Sequence, residues 1–307
     1  MKTLINKAHV EGIVYEHNLQ AKVTGPSAKT PNTPYIMGEV KILTDEENNN
    51  IVPVHFTYVT ATTKAGKENK TYTVLKKIID GELPTVIGGG KTLVKIDGEI
   101  ALNDFYRKGD DNEPTLVSAK RIEGKFVHQT TDIDKDVKKR NNCEVDMIIT
   151  GMRNMEATED KPERNFIKGA IFNSYFKTIL PIEFEVENPQ AVAYFESLGA
   201  SSSDPVFTKI VVRLISQTVS KQFVEESAFG EDIVKETTRE TKKWLVVSAQ
   251  KEPYAFDDES TITGDELKKA MADREVVLAE AKQRYLDSQA AKATPAATTN
   301  KSDKFDF

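Results

Sequence analysis

Hydrophobic and polar residues alternate in two long stretches of the chain, and this pattern predicts two groups of β-strands. Ile36, Val40 and Ile42 share one face of the clearest strand, while Tyr35 and Lys41 lie on the opposite face. A lysine-rich loop and a short helix follow the third strand of the first group. The five predicted strands of this group are His9–Val23, Tyr35–Thr44, Ile51–Thr60, Thr92–Leu102 and Thr115–Phe126.

The second group shows the same order of elements. Its predicted helix, Pro189–Leu198, follows the third strand and ends at Gly199. A charged connection from Glu225 to Glu240 separates its last two strands. The five predicted strands of this group are Glu144–Met155, Asn165–Phe176, Lys177–Val186, Phe207–Gln222 and Lys242–Gln250.

Short sequence phrases recur between the two groups at nearly one separation, about the length of a small domain. The matching segments are Ile51–Phe56 with Ile179–Phe184, Tyr35–Val40 with Phe166–Ile171, and Val117–Ala119 with Val247–Ala249. Three matches in the same order indicate an internal duplication. Five strands with a helix between the third and the fourth is the order of an OB-fold barrel. The predicted fold is therefore mainly β, with two tandem OB-fold (five-stranded Greek-key barrel) domains.

The composition changes after the second group of strands. Thr263 and Glu266 have the spacing of a helix capping box, and apolar residues follow at helical steps. The predicted organisation is a first OB-fold domain at 1–131, a linker at 132–142, a second OB-fold domain at 143–256, an amphipathic helix at 257–289, and a disordered spacer with an acidic and phenylalanine-containing tip at 290–307.

Composition and charge narrow the classes of function. The net charge is −6, but residues 1–140 carry 21 basic against 19 acidic side chains. An acidic protein with a mildly basic part is compatible with binding nucleic acid through one face. The sequence has no apolar run of membrane-spanning length and no signal-peptide pattern. We expect a soluble protein without membrane contact in the cytoplasm, which is the host cytoplasm if a phage encodes it.

Catalytic chemistry has little support in the sequence. The four histidines are isolated and show no metal-ligand spacing, and the only cysteine, Cys143, lacks a catalytic signature. Paired carboxylates fall in polar turns that solvent readily explains. We predict that the protein is not an enzyme and has no cofactor, metal site or catalytic residue.

Binding of single-stranded nucleic acid is better supported. Aromatic side chains and lysines share the predicted outer face of the second and third strands, where rings can stack on bases and ammonium groups can follow phosphates. The candidate face residues are Tyr35, Lys41 and His55 in the first group and Phe166, Lys168 and Phe172 in the second. The cations expected to border the groove are Lys64, Lys67, Lys70, Arg107, Lys108 and Arg153.

The end of the chain is a second candidate site. Two phenylalanines follow a long Ala-, Thr- and Pro-rich spacer, and ordering that spacer would cost more free energy than burying two rings returns. We therefore interpret the tip as a peptide for the pocket of a partner protein. Its proposed binding residues are Asp303, Phe305, Asp306 and Phe307.

This layout resembles the single-stranded-DNA-binding proteins of bacteriophage replication systems. The resemblance implies sequence-tolerant binding and protection of single-stranded DNA in replication, recombination or repair, with a tip that recruits replication and recombination proteins. The tip departs from the usual form because it has Lys304, few acidic residues, and Asp306 where proline often precedes the last phenylalanine. Two alternatives are a β-barrel virion or assembly protein and a single-stranded RNA-binding protein, since base stacking is common to DNA and RNA.

Overall fold

The protein is mainly β with a C-terminal helix. The computed structural model describes residues 4–110, 113–158, 162–173, 178–225, 233–255 and 264–293. The first-half elements are β1 (Asn6–His17), β2 (Gln20–Val23), β3 (Pro34–Asp45), β4 (Asn50–Thr60), α1 (Lys70–Ile79), β5 (Leu93–Lys108) and β6 (Pro114–Gln129). After a 3-10 turn at Val137–Lys139 come β7 (Asn141–Met155), β8 (Arg164–Asn173), β9 (Thr178–Val186), α2 (Pro189–Ser197), β10 (Val206–Glu225), β11 (Ile233–Ala249) and α3 (Gly264–Ala293).

The first-half strands pair into a closed ring, the N-terminal barrel. β1 pairs with β3 and β5, β3 with β4, and β5 with β6. A short parallel pairing of β4 with β6 at Val54 and Ile122 closes the ring. The residues Ile36, Val40 and Ile42, which the alternation placed on one face, are buried, and α1 contributes Leu75 to this core.

The second half repeats this pairing and forms the C-terminal barrel. β7 pairs with β8 and β10, β8 with β9, and β10 with β11. A parallel contact between Glu185 of β9 and Leu245 of β11 closes it. Helix α2 buries Phe195, and Gly199 follows it with a φ of 59°, a left-handed conformation that favours glycine.

The two barrels share one hydrogen-bonded sheet of eleven strands. β1 runs antiparallel to β7 with Ala8 opposite Cys143, and the flanking pairs Asn6 with Val145 and Val10 with Asn141 are symmetric about that point. The halves are therefore related by a local pseudo-twofold axis. Cys143 is fully buried there, which raises the pKa of its thiol to about 12. Cys143 is therefore a core residue of β7.

The two recurring phrases in β3/β8 and β4/β9 occupy matching strands, but the third recurrence is not a structural equivalence. In the N-terminal barrel the ring closes at Ile122, after Val117–Ala119 along β6. In the C-terminal barrel it closes at Leu245, before Val247–Ala249 along β11. The two segments lie on opposite sides of the closure, so their similarity is a coincidence of sequence.

Two connections predicted between strands are instead extensions of strands. β5 and β6 stay paired as far as Lys108 and Pro114, which places the predicted break after Leu102 within a hairpin. β10 and β11 stay paired as far as Glu225 and Ile233, where the sequence predicted a charged excursion. We call these two paired extensions the β5–β6 arm and the β10–β11 arm. They extend beyond the barrel cores, and a strand that buries no face against a core does not need alternating apolar residues.

The first predicted strand is also divided. The chain from His9 to Val23 forms β1 and β2, which are separated at Asn18 and Leu19. Gly38 of β3 lies against this break with a φ of 132°, and a Cβ there would stand 2.8 Å from the main-chain oxygen of Asn18. Glycine is therefore required at position 38 for the strands to approach this closely.

Helix α3 connects the two barrels on one side. Its residues Leu267, Ala270 and Met271 pack on a buried cluster of the C-terminal barrel. Arg274 forms a 2.8 Å ion pair with Asp104 of the β5–β6 arm. The helix continues to Ala293, four residues beyond its predicted end, and the described helices include none that could span a membrane. The remainder of the predicted spacer and the tip residues Asp303, Phe305, Asp306 and Phe307 lie outside the described residues.

Candidate nucleic-acid interface

A pair of aromatic rings, one partly buried and one exposed, lies on the outer face of the N-terminal barrel. The ring centroids of Tyr35 in β3 and Tyr58 in β4 are 4.7 Å apart, and the planes are tilted by 41°. Tyr58 is 49% exposed. Simple alternation places Tyr58 inside with Phe56, but the pairing of β3 with β4 shifts register here, and both Thr57 and Tyr58 are exposed. We name these two rings the tyrosine pair.

The loop that follows β4 carries cations beside the tyrosine pair. Thr60, the strand partner of Tyr35, accepts a 2.9 Å hydrogen bond at its main-chain oxygen from the side-chain amide of Asn69. The Asn69 side chain also caps the N-terminus of α1. Asn69 therefore holds together the two ends of the loop at residues 61–70, which connects β4 to α1. We name this segment the lysine loop. Its three lysines are exposed and have no ion-pair partner among the described residues: Lys64, Lys67 and Lys70.

The predicted cations on the sheet itself are neutralised locally. Lys41 forms a 2.5 Å ion pair with Glu16. His55 lies 2.8 Å from a carboxylate oxygen of Glu39, and this hydrogen bond lowers the pKa of Glu39. The excess positive charge of this face therefore comes from the lysine loop and the hairpin arm rather than from Lys41 and His55.

Beyond the tyrosine pair the same face continues onto the β5–β6 arm. Arg121 donates a 3.2 Å hydrogen bond to the hydroxyl of Thr57 and forms a 2.9 Å ion pair with Glu123. Phe105 lies on the same face of this hairpin as Arg121, because Arg121 pairs with Ala101 and Phe105 follows Ala101 by an even number of residues along β5. Phe105 is 42% exposed. The arm ends at the exposed cations Arg107 and Lys108. We name this continuous surface the outer path. It consists of the tyrosine pair, Arg121, Phe105, Arg107 and Lys108.

The corresponding face of the C-terminal barrel has a different character. Phe166 is only 8% exposed because Arg153 and Arg164 cover its ring, with guanidinium carbons 4.5 and 5.0 Å from the centroid. Arg153 pairs with Glu183 at 2.7 Å, and Arg164 forms two hydrogen bonds with Glu185, at 2.7 and 2.5 Å. The face therefore presents guanidinium groups in place of an open ring.

Phe172 and Lys168 have different surroundings on that face. Phe172 is on the outer side of β8, as the alternation predicted, but it is 7% exposed and belongs to the buried cluster under α3. The expectation of an exposed ring at this position was wrong, because the sequence does not indicate where α3 docks. Lys168 is exposed and lies 3.8 Å from Glu183.

Three residues of the outer path were missed in the sequence. Arg121 could have been found, because it precedes the inward Ile122 within a predicted strand. Phe105 fell in a segment predicted to be a connection. Tyr58 is two residues after Phe56, so the alternation along the strand predicts that it faces the interior. Only the register shift in the structure shows that it faces outward. Among the described residues, no group of three or more His, Cys, Asp or Glu side chains could hold a metal ion.

The fold and this surface define a protein of two linked β-barrels with an exposed aromatic and cationic face. The chain belongs to the YorF family, whose model matches residues 5–284. No curated protein matches the sequence significantly.

Two solved structures are weakly similar. The wild-type single-stranded DNA binding protein from Thermus aquaticus has 8% sequence identity and a TM-score of 0.43, over 85% of this chain and 98% of that chain. A deletion mutant of the Thermus aquaticus protein has 10% identity and a TM-score of 0.41, over 83% and 98% of the two chains. Similarity at this level carries no argument about the present chain.

Proposed function

We propose that the chain is a pair of tandem OB-folds that binds single-stranded DNA with little sequence preference and catalyses no reaction. The ring order β1-β3-β4-β6-β5, with α1 between β4 and β5, supports the OB-fold assignment of the N-terminal barrel. The same order in β7 to β11, with α2 in the matching place, supports it for the C-terminal barrel.

The observation that carries the proposal is the tyrosine pair beside the lysine loop. An exposed ring stabilises an unpaired base by about 1 to 3 kcal/mol through stacking, whatever the base. Lysines without carboxylate partners neutralise phosphates and release counterions, so the affinity falls as salt rises. Rings and free cations on one face of a barrel suit a strand whose bases are unpaired, while a duplex hides its base faces.

The proposed strand crosses the outer path from the lysine loop to the end of the β5–β6 arm. Tyr58 and Phe105 are the exposed stacking surfaces along it, and Arg121 lies between them. Lys64, Lys67, Arg107 and Lys108 would follow the phosphates at its two ends. Lys41 and His55 contribute less, because each is held by a carboxylate.

We propose the cellular role from the sequence. The protein would protect single-stranded DNA during phage or bacterial DNA replication, recombination or repair in the cytoplasm. The tip residues Asp303, Phe305, Asp306 and Phe307 would recruit replication and recombination proteins. The two OB-fold domains would occupy 1–131 and 143–256, with 132–142 as the linker.

The test is fluorescence anisotropy with labelled oligothymidine of about thirty nucleotides, since an OB-fold occupies about 4 to 16. We expect salt-sensitive binding that duplex DNA fails to compete. Tyr58→Ala should weaken binding roughly five- to hundredfold, which corresponds to one lost stack. Tyr58→Phe keeps the ring and should bind like the wild type.

Three results would count against the proposal. Absence of binding at low salt, together with large defined oligomers in light scattering, would favour an assembly protein. Equal loss for Tyr58→Ala and Tyr58→Phe would show that stacking is not the basis of binding. Tighter binding of oligouridine than of oligothymidine would make RNA the preferred ligand.

A further inference from the structure

The two barrels border an open cleft that the outer path does not use. Its volume is about 310 Å³, and it lies between β6 of the N-terminal barrel and strands β8, β9 and β11 of the C-terminal barrel. We name it the inter-barrel cleft. Its principal side chains are Lys120 from the first half and Arg164, Phe166, Lys242, Lys243 and Trp244 from the second.

The cleft has more positive charge than its carboxylates neutralise. Arg164 is held by Glu185, and Lys243 forms a 2.5 Å ion pair with Glu187. Lys120 and Lys242 have no ion-pair partner among the described residues. Two cations are therefore left over in a concave site, and such a site attracts an anion more strongly than a flat surface does.

Lys120 is the innermost of these cations. Its ammonium group donates a 2.5 Å hydrogen bond to the main-chain oxygen of Glu183 and lies 5.6 Å from the centre of the Phe184 ring. Burial lowers its pKa to about 8, against the opposing effect of the Glu183 and Glu185 carboxylates, while Arg164 and Arg153 lower it further. Lys120 is only partly buried, and its one hydrogen bond among the described residues is to this main-chain oxygen, so its other donors can face an anion in the cleft.

The dimensions and remaining groups of the cleft suit a nucleotide unit. A volume of about 310 Å³ is at the lower end of the roughly 300 to 1,000 Å³ that is typical of ligand pockets. The nearly buried side chains of Phe166 and Trp244 line the cleft, and the guanidinium group of Arg164, which covers the Phe166 ring, offers a flat surface. Guanidinium planes stack on bases as aromatic rings do.

We propose that the inter-barrel cleft binds two successive phosphates of the DNA strand through Lys120 and Lys242, so that one strand contacts both barrels. This inference rests on the proposed function and adds a second contact, in the cleft, to it. The phosphates would supply the direct ion-pair partner that neither lysine has among the described residues. A strand held in this way would also resist separation of the β5–β6 arm from the C-terminal barrel.

The test compares the salt dependence of oligothymidine binding between the wild type and the double variant Lys120→Gln, Lys242→Gln. Each single-strand phosphate contact contributes about 0.7 to the slope of log affinity against log salt, so the slope should fall by about 1.4. The matched control is Lys268→Gln, Lys282→Gln, two exposed lysines of α3, and its slope should equal that of the wild type. Thermal unfolding of each variant checks that it is folded.

A pH series gives a second readout. Wild-type binding should weaken up to about tenfold between pH 7 and pH 9 as Lys120 loses its proton. Lys120→Gln should lose this part of the pH dependence, while Lys120→Arg should keep binding at pH 9 because arginine stays charged.

The outcomes separate this inference from the proposed function. If the wild type fails to bind oligothymidine, both fail. If it binds and the double variant keeps the full slope and the pH dependence, the cleft is not a strand contact but the outer path stands. If a polyglutamate peptide binds the wild type and not the double variant, while DNA binding is equal, the cleft is a site for an acidic peptide and the inference is overturned.

Discussion

Lys120 of β6 donates its hydrogen bond to the main-chain oxygen of Glu183 in β9, 63 residues further along the chain. This contact fixes the β5–β6 arm against the outer face of the C-terminal barrel. The arm therefore has two roles in the proposed interface. Its outer side carries Phe105 and Arg107, and its inner side carries Lys120 into the inter-barrel cleft.

The depressed pKa of Lys120 predicts a specific pH dependence of stability. The unfolded chain holds the lysine proton up to about pH 10.5, whereas the folded protein releases it near pH 8. Between these values the unfolded state binds more protons, so the free energy of unfolding rises with pH. Relative to Lys120→Met, the wild type should gain roughly 2 to 3 kcal/mol from pH 7 to pH 10.5.

Urea unfolding at several pH values measures this difference. Lys282→Met, which removes an exposed lysine of α3 away from the cleft, is the control, and its difference from the wild type should stay constant. A constant difference for Lys120→Met as well would contradict the burial of its ammonium group in solution.

The two arginines that cover Phe166 should differ in their effect on stability. Glu185 has a 5% exposed side chain and loses its partner in Arg164→Ala, whereas Glu183 is 34% exposed and can be solvated in Arg153→Ala. We expect Arg164→Ala to lower the free energy of unfolding by about 3 kcal/mol. Arg153→Ala should cost about 1 kcal/mol or less. Denaturant unfolding at neutral pH makes the comparison, and equal losses would disprove the distinction.

Phe172 should act as a core residue rather than as a stacking ring. Its burial under Leu267 and Met271 predicts that Phe172→Ala lowers the free energy of unfolding by about 3 to 5 kcal/mol. Phe172→Leu retains most of the volume and should cost less. At a temperature where the leucine variant is fully folded, its affinity for oligothymidine should match the wild type. A large loss of affinity in that folded variant would show that Phe172 contributes directly to DNA binding.

The lysine loop should dominate the electrostatic part of binding on the outer path. Replacing Lys64, Lys67 and Lys70 together by glutamine should reduce the salt slope by up to about 2, since each phosphate contact contributes about 0.7. Stability should change little, because all three side chains are exposed. A triple variant of α3 at Lys268, Lys269 and Lys282 carries the same charge change away from the path. Equal slopes in the two triple variants would show that only net charge matters.

The sequence alone indicated most of the strands, the repeated order of elements and the presence of the helices. Inward residues such as Val54 and Ile167 are spaced by the pleat of their own strand, and that spacing is visible in the residues themselves. The lysine loop was also recognisable in the sequence. Three lysines and a glycine immediately before the apolar residues of a helix are typical of an exposed loop.

Only the tertiary structure decided which outer faces are open. Phe172 and Tyr35 have equivalent sequence signals, yet α3 covers Phe172 while Tyr35 pairs with an exposed Tyr58. Lys120 carries no mark in the sequence that separates it from a solvated lysine, and its cleft forms only because one barrel meets the other. Alternation within a strand depends on neighbours along the chain, whereas the cover of a face depends on contacts between segments far apart in sequence.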